Sequence, residues 1–494
     1  MNRAVLVDFT NVYSFSVRSI SAYLKDKGYG VSCVHYRPED PDDLFSPLSE
    51  KSLRLLAEHC QGSDVVGISI LSTHFLNRAI EIRNYLKERI GAKILWGGVP
   101  VICDPHYYLK YTDYVCTGEG EIPMAGILGR GVPEEIAGIG YKSPEGEVIF
   151  NEAPPLLDLN EIPVPYLDME NTYILRDNAL KSLREHPEPL FDLSKKGYRI
   201  FPIRGCPYSC TFCSNNRLKN AYREKGPLLR SLRPERIIAE LKNAKEVIPG
   251  LERVMFYEDD FMARRDDELK ELMGLYSRDI GLPFNINATI MNISEGKLDT
   301  IRRSGVELEY IKIGLQSASS RVNKEVFRRF FDRDTYLERL ELLARRGIPV
   351  ILDIISDNPY EALSDKYESL LFYHELSAKI RKATIVKRPI RIMDHKLMYY
   401  PGTALYDNAL QDKIIDRDYV GKTLLTRRTT RDKREDIDND TFISALFGLA
   451  TQKRGLRIPN AILRVLRIRP IFNIGYRFNL FKFLASIVKG RFQK

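Results

Sequence analysis

Short apolar runs alternate with amphipathic stretches through the first 120 residues of the chain. Compact apolar runs bounded by turn residues read as buried strands, and apolar positions three or four apart read as helices. Strands are predicted over residues 4–9, 31–36, 64–70, 93–98 and 114–118, with helices between them, such as 77–90. That alternation builds a five-stranded parallel sheet, Rossmann-like, which takes ligands at the carboxyl ends of its strands. A proline-rich connector with a short helical stretch follows over about 150–195, containing Pro154-Pro155 and Pro163-Val164-Pro165. From Tyr198 a second series begins, with strands predicted over 199–203, 254–257, 284–288, 310–314, 349–355 and 391–399. Helices fall between them, including 234–244 and 335–346. Six such units predict a partial (β/α)6 TIM-type barrel whose chemistry gathers at the C-terminal rim. The chain therefore divides into an α/β domain over 1–150, a linker over 151–195, the partial barrel over 196–405 and a helical region over 406–494.

At 494 residues and 44% hydrophobic content, two or three domains with sizeable cores are expected. No apolar run approaches the roughly 18 residues of a spanning helix, and the start reads as a strand rather than a signal peptide. The net charge of +9 is unevenly placed. No acidic residue follows Asp440, yet eleven Lys or Arg do, so residues 1–440 carry −2. Within this basic tail, apolar stretches at 461–468, 471–474 and 478–488 are interleaved with Lys and Arg, the pattern of an interfacial helix. It predicts peripheral contact with a membrane surface; the plainer reading is a helical cap with a solvated basic face. Nucleic acid is not expected, since no recognition motif or stacking aromatics accompany the charges. Seven cysteines, three of them clustered, point to a reducing compartment rather than a disulfide framework. The expected location is cytoplasmic, at the inner face of the membrane where the tail engages it.

The clustered cysteines are Cys206, Cys210 and Cys213, in the run Arg204-Gly205-Cys206-Pro207-Tyr208-Ser209-Cys210-Thr211-Phe212-Cys213. Soft thiolates select iron–sulfur clusters or zinc. A structural zinc site closes with a fourth Cys or His at short spacing, and the next histidine is His374. Three ligands with one open corner suit a 4Fe–4S cluster whose fourth iron binds something else. In this motif, Phe212 included, the chain resembles the radical S-adenosylmethionine superfamily. The resemblance implies a cluster on the three cysteines whose open iron chelates the amino acid end of S-adenosylmethionine.

It also implies further contacts to that cofactor. Glu258 or Asp259, in Tyr257-Glu258-Asp259-Asp260-Phe261, would accept its ammonium, although helix capping explains one of these acids equally well. Gln316 and Ser317 stand where the family usually shows Gly-x-Glu-Ser-Gly; here Gln316 replaces the acid and Ala318 the last glycine, so hydrogen bonding survives without the charge. Arg328 is a candidate for its carboxylate, and Arg204 either tunes the cluster's charge or lies at the surface. The runs Asp353-Ile354-Ile355-Ser356-Asp357-Asn358-Pro359-Tyr360-Glu361 and Pro401-Gly402-Thr403 resemble family segments near adenine and at the last turn. Asn287, Thr289, Lys396, Tyr208, His395 and Tyr399 would ring the substrate space, the last three as catalytic candidates.

The first domain resembles the cobalamin-binding domain that precedes many such barrels. Matching elements are Val66-Gly67-Ile68-Ser69, Trp96-Gly97-Gly98-Val99-Pro100 and the run from Asp113 to Glu121. Small residues at strand ends admit a flat corrin that bulky side chains would block. The implied cobalamin contacts are Ser69, Ser72, Thr73, Gly97, Gly98, Gly118, Glu119 and Gly120. The Asp-x-His-x-x-Gly signature is absent: Asp104-Pro105-His106 begins like it but lies after the wrong strand. His106 reads as a loop histidine, and the lower face of cobalt is left unassigned.

The resemblance thus implies a cobalamin-dependent enzyme that reductively cleaves S-adenosylmethionine at the cluster and methylates an unactivated carbon through methylcobalamin. Radical cyclisation or hydroxylation with the same cofactors is the alternative. A methylthiotransferase is less expected, because Cys33, Cys60, Cys103 and Cys116 hardly converge on a second cluster. Expected partners are a small-molecule or lipid-type substrate and an electron donor such as flavodoxin or ferredoxin.

Overall fold

The structure is a computed structural model of the 494-residue chain. It describes residues 2–10, 14–36, 46–129, 131–387, 389–425, 439–451 and 457–482. The end of the predicted 478–488 stretch lies outside the described residues.

The first sheet is built on β1 (Arg3–Asp8), β2 (Gly30–Tyr36), β3 (Val65–Ser69), β4 (Lys93–Gly97) and β5 (Tyr114–Cys116). They lie parallel in the order β5-β4-β3-β1-β2. Both faces are covered, which is why these strands read as near-continuous apolar runs. Val5, Val7, Val66 and Trp96 pack under helices Glu50–Cys60 and Leu76–Lys87 on one side. Leu6, Cys33, Leu95 and Cys116 pack under Phe15–Asp26 and Glu121–Gly129 on the other.

The sheet is wider than the five strands expected. β6 (Ile139–Lys142) and β7 (Val148–Phe150) extend it antiparallel beyond β5. At the opposite edge β8 (Thr172–Arg176) pairs parallel with β2, and β9 (Ala179–Ser182) pairs antiparallel with β8. The stretch expected as a linker therefore contributes an edge hairpin to the first sheet. Asp177 and Asn178 form its turn with φ of 52° and 57°, the left-handed pair of a two-residue hairpin. The predicted helical stretch is present at Glu188–Lys196.

The second sheet begins with β10 (Tyr198–Ile200). The single strand expected over 199–203 is broken at Phe201-Pro202, since proline cannot donate to a ladder. The chain resumes as β11 (Ile203–Arg204), paired antiparallel with β12 (Arg230–Ser231). β13 (Val254–Phe256), β14 (Phe284–Ala288), β15 (Leu308–Gln316), β16 (Val350–Ser356) and β17 (Ile390–Lys396) complete the sheet. Its order is β10-β13-β14-β15-β16-β17, all parallel: the expected six-stranded partial barrel. Along β15 and β16 the period is two. Ile311, Ile313, Val350 and Leu352 are buried beneath the helices, whereas Lys312, Gly314, Ile351 and Asp353 face the concave side.

Three C-terminal helices, Asn439–Ala450, Arg457–Leu466 and Arg469–Arg477, lie against the long helix Leu363–Ala383; the first also covers β17.

Candidate cofactor site between the two sheets

The cysteine loop leaves β11 through Gly205. Its φ is +92°, and a Cβ there would stand 2.0 Å from the Leu228 carbonyl oxygen, so only glycine makes this turn. The loop is then stapled from several sides. Thr211 donates its N–H to the Phe327 carbonyl (3.0 Å) and its hydroxyl to that of Val326 (2.6 Å). Lys219 Nζ donates to the carbonyls of Pro207 and Tyr208 (2.7 and 2.6 Å). Phe212 meets Phe327 edge-on at 5.1 Å, which gives this motif residue a packing role.

All three thiols of the loop are free, Cys210 buried and Cys206 and Cys213 half-buried. Burial, with Asp259 adding to it, pushes Cys206 up to about 12 and Cys213 to about 11. Deprotonation therefore has to be coupled to metal binding. Among the described residues no three His, Cys, Asp or Glu side chains converge closely enough to hold a single ion. Three thiols spread along one loop instead suit separate irons of a cluster.

The acidic run after β13 divides by environment. Glu258 is buried at the edge of the cavity; one carboxylate oxygen pairs with Arg264 at 2.6 Å and the other has no protein partner. Asp259 stands at the cavity, accepts from Asn215 Nδ2 (2.7 Å) and lies beside Cys206 and Cys213; burial raises it. Asp260 caps the turn Phe261–Ala263 by accepting from the Met262 N–H. The functional and capping readings of this run thus fall on different acids.

Gln316 adopts a left-handed φ of 65° at the end of β15, and the Ser317 hydroxyl donates to Glu361 at 2.8 Å. Arg328 is exposed. The next residue is the one turned inward: Arg329 donates to Cys210 Sγ. No periodicity distinguishes two adjacent arginines, so the sequence reading missed it by one position.

One cavity of about 580 Å³ joins the two sheets. On the first-domain side it is lined by Ser69, Gly97, Gly98, Gly118, Glu119 and Gly120, at the carboxyl edge of β3, β4 and β5. On the barrel side it reaches Cys206, Asn215, Tyr257 and Asp259. Its walls are apolar, from Leu6, Ile20, Leu95 and Met124, as a corrin face needs. Gly98 has φ +105°, with room of only 2.1 Å between a Cβ and the Ile70 carbonyl oxygen, so the wall turns sharply there.

Two of the predicted cobalamin contacts do not line this cavity. Ser72 pairs with His74 Nδ1 at 2.7 Å, and Thr73 is buried beside Tyr108. Leu71, more than half exposed, takes their place at the opening. His106 is an exposed residue against Phe150, away from the cavity.

The Gly118–Glu121 run does a second job. A Cβ at Gly118 would overlap the Tyr222 hydroxyl, so its smallness admits a tyrosine from the barrel, whose oxygen accepts the Glu119 N–H. The Glu119 carboxylate pairs with Arg204 (3.0 Å) and with Arg230, and Glu121 pairs with Arg204 (2.8 Å) and Ser19 (2.7 Å). Arg204 is therefore not a surface residue. It is one half of an interdomain clasp. Arg18, Tyr198 and Glu240 form a second, fully buried clasp nearby, with Tyr198 donating to Glu240 at 2.7 Å.

The remaining candidates scatter. Tyr208 is half-buried beside Thr289, and burial raises its hydroxyl. Asn287 donates to the Glu258 carbonyl (3.1 Å). His395 Nε2 lies 3.5 Å from Asp353, which also pairs with Lys312 at 2.9 Å, on the concave face of the barrel. Tyr399 is buried against Tyr419 and is withdrawn from the cavity.

Residues 200–365 match the radical SAM superfamily, and residues 5–128 match the B12 binding domain; together these cover more than half of the chain. The chain belongs to the radical SAM superfamily and carries a B12 binding domain ahead of the radical domain. It is 21% identical over 367 residues to an uncharacterized methyltransferase, PH0819, of Pyrococcus horikoshii, covering 71% of this chain and 70% of that one. It is 22% identical over 343 residues to the cobalamin-dependent radical SAM methyltransferase TokK of Streptomyces tokunonensis, covering 66% of this chain and 46% of TokK. The fold matches that of TsrM from Kitasatospora setae, a radical S-adenosylmethionine methyltransferase solved with cobalamin and a [4Fe-4S] cluster. The TM-score is 0.64 at 14% identity, over 83% of this chain and 78% of that one.

Proposed function

We propose that the chain is a cobalamin-dependent radical S-adenosylmethionine enzyme that methylates carbon. The observation that carries this reading is the shared cavity, where the strand ends of a B12 binding domain and a three-cysteine loop open onto one space. Methyl transfer in particular draws on the methyltransferase names of PH0819 and TokK. When bound, the cluster and S-adenosylmethionine supply a carbon radical and cobalamin supplies the methyl group.

The chain's own residues position and seclude. Cys206, Cys210 and Cys213 hold the cluster, Asp259 accepts the ammonium of S-adenosylmethionine, and Ser317, oriented by Glu361, offers a polar contact. Leu6, Leu71, Leu95 and Met124 keep water from the corrin face. The two clasps hold the cofactor-bearing domains at a fixed separation. The substrate is a small or lipid-type molecule, reached from the concave side of the barrel near His395 and Lys312. The seven free cysteines support a reducing, cytoplasmic setting, with electrons from a flavodoxin- or ferredoxin-type donor.

Anaerobic loading with iron, sulfide and hydroxocobalamin tests this. We expect a full cluster and one bound corrin per chain, and 5′-deoxyadenosine or S-adenosylhomocysteine on reduction. A loaded cluster without corrin binding overturns the cobalamin assignment alone. Cleavage of S-adenosylmethionine by Cys210→Ala overturns the cluster assignment.

A further inference from the structure

The C-terminal helices have two apolar faces. Leu463, Leu466 and Phe472 point inward and join the core of the barrel domain. A second row points outward: Val465, Ile468, Ile471, Ile474, Phe478 and Leu480 are all exposed, Phe478 to 71%. Val465, Ile468, Ile471 and Ile474 recur every three residues across the last two helices and the turn between them, and Phe478 and Leu480 follow the end of the second, so the six gather in one short stretch of chain. Exposed Arg464, Arg467, Arg469, Arg477 and Lys482 flank them, and no acid occurs anywhere after Asp440. Among the described residues none of these five cations forms an ion pair.

A solvated helix face is polar, and single exposed apolar side chains are ordinary. Six exposed apolar side chains in one short stretch, bordered by cations and by no acid, are neither. Charge is depleted from the core of a protein–protein interface, and although arginine is common in such interfaces, a border of cations with no acid after Asp440 calls for a partner that is anionic throughout. Apolar side chains edged by Lys and Arg match the boundary between acyl chains and anionic headgroups. We propose that this face docks on an anionic lipid bilayer, lying in the interface without crossing it. No helix among the described residues is long and apolar enough to cross.

The face is fixed to the barrel. The Tyr476 hydroxyl donates to Asp440 (2.6 Å), and Asp440 pairs with Lys366, which faces Glu361 at 3.7 Å. Tyr367 donates to the Arg467 carbonyl and meets Phe472 edge-on. Docking would therefore set the orientation of the barrel to the lipid surface. The proposal is independent of the radical chemistry.

Flotation of the full-length chain with vesicles tests it. One set is phosphatidylcholine alone; the other contains a quarter phosphatidylglycerol. Partitioning into the anionic vesicles should exceed that into neutral ones by about a hundredfold at low salt. Ile474→Ser with Phe478→Ser should reduce it by about tenfold or more, as should Arg464→Gln with Arg467→Gln. Circular dichroism of each variant should match that of the parent. Equal binding to both vesicles, or no binding, overturns the proposal. So does binding that survives both double substitutions. Sedimentation velocity without lipid should give a monomer; a dimer dispersed by the Ile474/Phe478 change would assign the face to a second copy instead.

Discussion

The guanidinium of Arg329 donates to Cys210 Sγ at 3.7 Å and to the Gly314 carbonyl at 2.8 Å. The strand carbonyl thus aims a permanent cation at one of three thiols that would carry a cluster. A hydrogen bond and a positive charge at a cluster sulfur favour the reduced state. Arg329→Met should lower the midpoint potential by about 60 mV, equivalent to about 1.4 kcal/mol for one electron. An EPR-monitored redox titration reads it. An unchanged potential at normal iron content would remove the tuning role and leave Arg329 as a packing residue.

The clasp between the domains predicts a stability effect far from either cofactor. Burial pushes the Glu121 carboxyl up, but Arg204 and Ser19 hold it below its ordinary range. Glu121→Ala removes one of the two carboxylates on Arg204, which keeps Glu119 as its partner. The loss of that one charge-assisted contact should cost about 2 kcal/mol, whereas Glu145→Ala, at an exposed turn, should cost almost nothing. Denaturant midpoints compare the two. Because Glu119 still engages Arg204 and Arg230, the clasp should stay closed, and proteolysis near residues 151–165 should keep the parent's rate.

Two glycines separate the cofactor sites experimentally. Gly205→Ala forces a Cβ onto the Leu228 carbonyl and should abolish iron loading while corrin still binds. Gly98→Ala forces one onto the Ile70 carbonyl and should weaken corrin binding at least about tenfold with iron content intact. Iron analysis and the corrin absorbance give both readouts on one sample. Loss of both cofactors in both variants would mean that the two sites fold as one unit.

Much of this architecture is legible in the chain because buried parallel strands leave unbroken apolar runs. β14 is read at its full extent, and β1 to β4 within a residue at each end. Edge strands are not legible in the same way. β8 and β9 lie in a stretch read as a linker, since half-exposed strands carry mixed polarity and their pairing with β2 is long-range. The three cysteines are legible because their spacing is itself the chemistry. The Glu258–Arg264 ion pair is not, because it is a tertiary event that leaves no mark on spacing. The same holds for Tyr222, which reaches Glu119 across more than a hundred residues.

Glu361 provides a pH-dependent prediction. Burial raises its carboxyl to about 7, against the opposing pull of Lys366 and Ser317. Below its unfolded value the carboxyl is protonated in both states and folding is unaffected. As pH rises toward the folded value, the unfolded chain gives up the proton first, so stability falls across that window and levels off above about 7. The difference corresponds to about 3 kcal/mol. Glu361→Gln has no proton to lose. Its stability relative to the parent should therefore rise by about that amount between roughly pH 5 and pH 8, whatever constant offset the lost contact with Lys366 introduces. Parallel denaturant melts of the two proteins at each pH measure the change. A pH-independent difference would place the Glu361 carboxylate in its charged form throughout, held by Lys366 and Ser317.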